Sequence, residues 1–169
     1  LLFVYNVNVK DVKTKISNKL EPWINGLGAG VVIAVLSFLT FELPLGAWLI
    51  FSFGSSALVV FVFYTSDFAQ PKNIFLGHLL SICVGILINN ILPVSPLSLG
   101  LAVGLAVALM AFFKITHPPA AANPLIAIFA NVSNDFILFP IVAGSLTLII
   151  LSFLINKYLF KRNYPKNWF

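Results

Sequence analysis

Charge is what this chain has least of. Only 9% of its residues are Asp, Glu, Lys or Arg, while 60% are hydrophobic; a soluble domain usually carries roughly a quarter charged residues. So little polar side chain cannot cover a surface that faces water, although it suits one that faces lipid. Cysteine is almost missing as well. Cys83 stands alone inside an apolar run, which excludes an internal disulfide and a cysteine metal cage and leaves the redox compartment unread. A Gly-rich phosphate loop, a His-Glu-x-x-His helix and a Cys/His ligand cluster are all absent from the sequence. No catalytic activity, metal or cofactor is expected. His78 and His117 are the only two histidines, and a third ligand to share a metal with them is not evident.

What the chain does have is a series of long apolar runs. Its 169 residues suggest a single domain. The formal net charge of +5 would hint at nucleic acid in a soluble protein. Here the basic residues lie in short clusters between apolar runs, which reads as membrane topology rather than as a nucleic-acid surface. Residues 1–9 show no clear role. Over residues 10–20, Val12, Ile16 and Leu20 share one helical face, surrounded by Lys10, Lys13, Lys15 and Lys19. That pattern fits a helix lying on an anionic membrane surface and fits a solvated tail equally well. Six apolar segments follow, at about 23–41, 44–64, 74–92, 97–113, 118–133 and 136–156. The first is followed by more of the same, so no cleavable signal peptide is expected. The chain thus divides into an interfacial segment (1–22), a transmembrane domain (23–156) and a basic tail (157–169).

The expected fold is all-α, a polytopic membrane helix bundle, and two threadings compete for it. A spanning helix needs about 20 apolar residues. The fifth segment is short and holds Pro118, Pro119 and Pro124, so taken alone it reads as a re-entrant helix in a bundle of four or five spans. Charge favours six crossings. If all six segments cross, the Lys and Arg residues at 10–19, 72, 114 and 157–166 fall on one side, leaving Glu42 and Asp135 on the other. The positive-inside rule makes that side the cytoplasm, with both termini in it. Segments two and five also echo each other, Asp67-Phe68 closing one and Asp135-Phe136 the other. With three crossings per half, this implies a 3+3 inverted repeat, a plan common among transporters.

Two motifs are candidates for chemistry. The first is Lys114-Ile115-Thr116-His117-Pro118-Pro119-Ala120-Ala121-Ala122-Asn123-Pro124. Proline is favoured in a first helical turn, so Pro118 and Pro119 mark a helix start whose unpaired N–H groups carry positive potential. With Lys114 and His117 beside it and small residues after it, that start is a candidate anion seat. The second is Ala69-Gln70-Pro71-Lys72-Asn73 with Gly77, His78 and Ser81. His78 and Ser81 share a helical face, and polar groups within a spanning helix usually face the bundle interior. Gly54-Ser55-Ser56 falls near mid-membrane, where small residues favour close packing and also expose backbone.

These motifs resemble the HPP family of small integral membrane proteins, named for the triplet seen here as His117, Pro118 and Pro119 and followed by Ala120. The second motif resembles the family's other marked region, and the likeness covers roughly residues 22–156. The chain departs from the family pattern at Asp67, where proline is common, at Lys72, where arginine is common, and at Asn123-Pro124, where small or hydroxyl residues are usual. The family is usually described with four spans, against the six favoured by charge. Some relatives in plastids and cyanobacteria are linked to nitrite transport, and others carry C-terminal CBS domains. The resemblance therefore implies an inner-membrane transporter or channel for a small inorganic anion, nitrite first. The expected site comprises Lys114, Thr116, His117, Pro118, Pro119, Ala120 and Asn123, faced by Gln70, Asn73, His78, Ser55 and Ser56. The expected partners are the bilayer, the anion and a homo-oligomeric copy. A scaffold subunit that transports nothing, and an enzyme using both histidines, are the rival readings.

Overall fold

The computed structural model describes residues 20–44 and 46–168. The lysine-rich part of the N-terminal segment lies outside the described residues. Every regular element among them is helical: α1 (Glu21–Glu42), α2 (Phe51–Val62), α3 (Pro71–Ile91), α4 (Pro96–Phe112), α5 (Asn123–Phe129) and α6 (Ala143–Leu154). Three stretches are long and apolar enough to cross a membrane, Glu21–Glu42, Pro71–Ile91 and Ile137–Leu159. The outer surface agrees: Phe51 is 94% exposed, Phe41 82% and Trp23 78%, while Ser52, Ser56, Ser81, Asn123, Asn156 and both histidines are buried. An apolar exterior around a polar interior is stable only where the surrounding medium is lipid.

The helix starts follow local chemistry. Proline opens α1, α3 and α4 within the first two positions, where its missing N–H costs nothing. Ser95 and Ser98 cap α4 reciprocally, each hydroxyl accepting from the other residue's N–H at 3.1 and 2.9 Å.

Segment two is apolar throughout 44–64, yet its helix begins only at Phe51 and runs for 12 residues, roughly 18 Å. Thr40 explains the delay. Its hydroxyl accepts from the N–H groups of Trp48 and Leu49 at 3.0 and 3.1 Å, holding that stretch extended against the end of α1. Segment five is broken likewise: a 3₁₀ turn over Pro118–Ala122, then the seven residues of α5. Two adjacent prolines supply no N–H, and the first one available, on Ala120, bonds back to the His117 carbonyl at 2.9 Å. Segment six bends at Phe139, whose φ of −126° and ψ of 120° are non-helical; the residue before a proline is pushed out of the α region.

Segment five nevertheless follows α3 along almost its whole length. Asn73 Nδ2 donates to the Thr116 carbonyl (3.1 Å) at one end, and Asn89 Nδ2 donates to Asn131 Oδ1 (2.8 Å) at the other. Between them the missing side chains of Gly77 and Gly85 allow close approach. A Cβ on Gly77 would lie 2.9 Å from His117 Cβ, and one on Gly85 would lie 2.6 Å from Pro124 Cα.

The C-terminal tail folds back to the end of the bundle where α1 begins and α2 ends. The Arg162 guanidinium donates to the Phe61 carbonyl (3.0 Å), Asn156 Oδ1 (3.1 Å) and Asn25 Oδ1 (2.6 Å), and stacks over Tyr64 with Glu21 3.8 Å away. Partial burial lowers its pKa from the usual value, and Tyr64 and Glu21 oppose that shift. Tyr164 is buried and its hydroxyl donates to the Ala69 carbonyl at 2.9 Å; burial pushes this phenol up. The described basic residues, Lys72, Lys114, Lys157, Lys161, Arg162 and Lys166, therefore gather at one end, while Glu42 and Asp135 lie towards the other.

Candidate functional site

α2, α3 and the His-Pro-Pro turn meet at a buried polar chain. Its centre is the Ser56 hydroxyl, 2.9 Å from His78 Nε2 and 2.8 Å from His117 Nε2. α2 presents Ser52 and Ser56 on one face, a helical turn apart, and α3 presents His78 and Ser81 in the same way. The turn after α4 delivers His117 and then Asn123. All six side chains are buried, five of them with no exposed surface at all.

The partners fix where the protons sit. His117 Nδ1 lies 2.7 Å from the Phe68 carbonyl, which can only accept. His117 is therefore the Nδ1–H tautomer and its Nε2 is an acceptor. Asn123 is oriented by two neighbours: one side of its amide meets the His78 carbonyl at 3.2 Å and must be Nδ2, while the other, Oδ1, accepts from Ser52 at 2.8 Å. Nδ2 also faces His78 Nδ1 at 2.9 Å and Ser81 Oγ at 3.0 Å. His78 Nδ1 must then accept, so the Nε2 of that ring carries the proton. A directional chain results: Asn123 Nδ2–H to His78, His78 Nε2–H to Ser56, Ser56 O–H to His117, His117 Nδ1–H to the Phe68 carbonyl. The rings themselves meet at a centroid distance of 5.0 Å, and Phe53 lies edge-on against His78.

Of the residues named from sequence, Ser56, His78, His117 and Asn123 come together here. Pro119 and Ala120 are buried beside them, and Pro118 is exposed. Asn73 and Thr116 form the neighbouring link already described. Ser55 points outward. Lys114 is exposed, in a left-handed backbone position (φ 56°). Gln70 is engaged elsewhere: its amide nitrogen donates to the Ser66 carbonyl (2.7 Å) and its Oε1 accepts from Lys166 N–H (2.8 Å), tying the tail to the turn before α3. Ser52 and the Phe68 carbonyl had not been singled out. The helical spacing of Ser52 from Ser56 was a readable signal; nothing in a sequence marks a carbonyl. The members of the polar chain lie within hydrogen-bond distance of one another. A groove of about 570 Å³ does open on the outer face of α3, where Leu79, Cys83 and Leu87 line it and Lys72 stands at its rim. Among the described residues no group of three or more His, Cys, Asp or Glu side chains is placed to hold a metal.

Known proteins give the same frame. The family model described as the HPP transmembrane region matches residues 14–165. The chain belongs to the HPP transmembrane family. The match takes in the tail residues Arg162 and Tyr164 along with both motifs. Two transmembrane proteins of Dictyostelium discoideum are similar to this HPP chain, each 32% identical, over 86% and 94% of its length. The chain spans 50% and 60% of those two relatives. No solved structure matches it.

Proposed function

We propose that this HPP protein carries a small inorganic anion across a membrane, nitrite first among the candidates. The observation behind this is the make-up of the polar chain. It offers His78 Nε2–H, the hydroxyls of Ser52 and Ser56 and the Asn123 amide, and none of the side chains bonded to it is a carboxylate. Neutral donors without a competing negative charge suit a monovalent anion and give a metal cation little to bind. Burying so many polar groups in lipid is costly, which weighs against a purely structural role. The donors are buried, so in this reading an anion reaches them after α2 and residues 117–123 part. That requirement suits an alternating-access carrier better than an open channel.

The same reading has six crossings, with both termini in the cytoplasm of a cell whose inner membrane holds the protein. It is supported by the run of segment five beside α3 from Thr116 to Asn131 and by the basic residues at one end. An inverted repeat would exchange α2 with segment five. These hold the two shortest of the apolar helices, Phe51–Val62 and Pro118–Phe129, and each brings polar residues to the same centre.

Purified protein in liposomes is the test, with uptake followed for nitrite and a panel of other small anions. Nitrite flux is expected, with loss in His117→Ala at unchanged expression. Equal uptake by that variant would reject the role of His117. No flux of any anion, together with a tightly co-purifying protein, would favour a scaffold instead.

A further inference from the structure

The Ser56 hydroxyl has one proton and two lone pairs, yet three acceptors or donors surround it: His117 Nε2 at 2.8 Å, His78 Nε2 at 2.9 Å and the Ser52 carbonyl at 3.1 Å. With both rings neutral, the hydroxyl accepts from His78 and donates to His117. Now let one proton arrive at His117 Nε2. If the serine O–H turns towards the Ser52 carbonyl, its two lone pairs accept Nε2–H from both rings, and no donor or acceptor is stranded. The carbonyl of a residue one turn earlier is a common acceptor for a helical serine. Protonating His78 instead would set Nδ1–H against the Asn123 amide donors, and turning that amide would set its oxygen against the His78 carbonyl. Two buried states thus differ by one proton and one hydroxyl rotation, and only one of the rings can take the charge.

We propose that the bundle core is a binding site for a single proton, taken up at His117 Nε2, with the Ser56 hydroxyl as the rotor that accommodates it. The bookkeeping closes without a co-reactant: a proton from water adds to the Nε2 lone pair, and no bond between heavy atoms forms or breaks. The groups meeting the two rings are Ser52, Phe53 and Ser56 from α2, the Phe68 carbonyl, Gly77 and Ser81 from α3, and Asn123 from α5. None is charged, and the titratable group that bears on His78 is His117 itself. A proton held here is a cation among donors. In a carrier it would accompany the anion and offset its charge; that coupling rests on the transport reading, whereas the proton site does not.

The two histidines of the chain make the test direct. The full chain, labelled with ¹⁵N-histidine and held in lipid nanodiscs, gives two rings whose one-bond and long-range ¹H–¹⁵N patterns distinguish Nδ1–H, Nε2–H and doubly protonated forms. At alkaline pH one ring of each neutral tautomer is expected. On acidification the ring absent from His117→Gln becomes doubly protonated while the other keeps Nε2–H. Ser56→Ala is expected to move the His117 midpoint down by about one pH unit, the value of one hydrogen bond to a charged group; Ser56→Thr keeps the hydroxyl and the midpoint. Two rings of the same tautomer, protonation of His78 first, or a His117 ring that stays neutral for as long as the protein remains folded, would each overturn the proposal. The wild-type spectra decide this even if a variant fails to fold. Anion flux measured on the same preparation reports separately on transport.

Discussion

Asn123 is the residue on which the geometry of the polar chain depends most, because its amide orients His78, Ser52 and Ser81 at once. Asn123→Ala strands several buried partners, each worth about 1–3 kcal/mol when left unpaired. A fall in thermal midpoint is expected in detergent, together with loss of the Nε2–H form at His78. Asn123 was legible in the sequence through the His-Pro-Pro motif it follows. Whether Ser55 or Ser56 joined it was not, because adjacent serines differ only in helical phase, and the late start of α2 at Phe51 sets that phase. The packing of the tail was not legible for a related reason. Lysine and arginine there read as topology signals, and Tyr164 carries no charge to mark it. Arg162 reaches three oxygens with a planar fork, so Arg162→Lys keeps the charge and loses the geometry. It is expected to destabilise by about 1–3 kcal/mol, read as a lower unfolding midpoint; an unchanged midpoint would make the cluster incidental. Tyr164 adds a pH signature. Its folded pKa is raised, so the stability it lends is complete below the ordinary phenol value of about 10 and declines as pH climbs through the folded value. In Tyr164→Phe that part of the alkaline decline is expected to vanish.

Segment five shows what apolar patterning conveys at the scale of an element. The six apolar runs correspond to six helical stretches among the described residues, because burial in lipid demands internally satisfied backbone wherever the run is long. Where the helix inside each run starts and breaks is decided by particular atoms: the Thr40 hydroxyl for α2, two missing N–H groups for segment five, a pre-proline conformation for segment six. The mean hydropathy of a run locates none of these. The packing of segment five on α3 depends on Gly85, where an added methyl would press on Pro124 backbone. Gly85→Ala is expected to lower stability by about 1–3 kcal/mol. Gly30→Ala on α1, where open space awaits the methyl, should be neutral or stabilising by up to about 1 kcal/mol. Equal effects at the two sites would mean that segment five is not held there.

For the molecule as a whole, the polar chain functions as proposed only if residues 116–131 pass from one end of the bundle to the other. His117 then enters near the basic end, Asn123 reaches the middle, and Asn131 emerges by Asn89 at the far end. A re-entrant segment would return to the side it left and carry the C-terminal tail to the opposite side. Sequence alone left these threadings in competition, since three prolines argue for one and the distribution of lysine and arginine for the other. Single cysteines placed in turn at Lys114, Asn131 and Lys166, in a Cys83→Ser background, and labelled with an impermeant maleimide in sealed inside-out and right-side-out vesicles, separate them. Positions 114 and 166 are expected to label from the cytoplasmic side and position 131 from the other. Labelling of 114 and 131 from one side, with 166 opposite, would contradict the six crossings and the proposed carrier site with them.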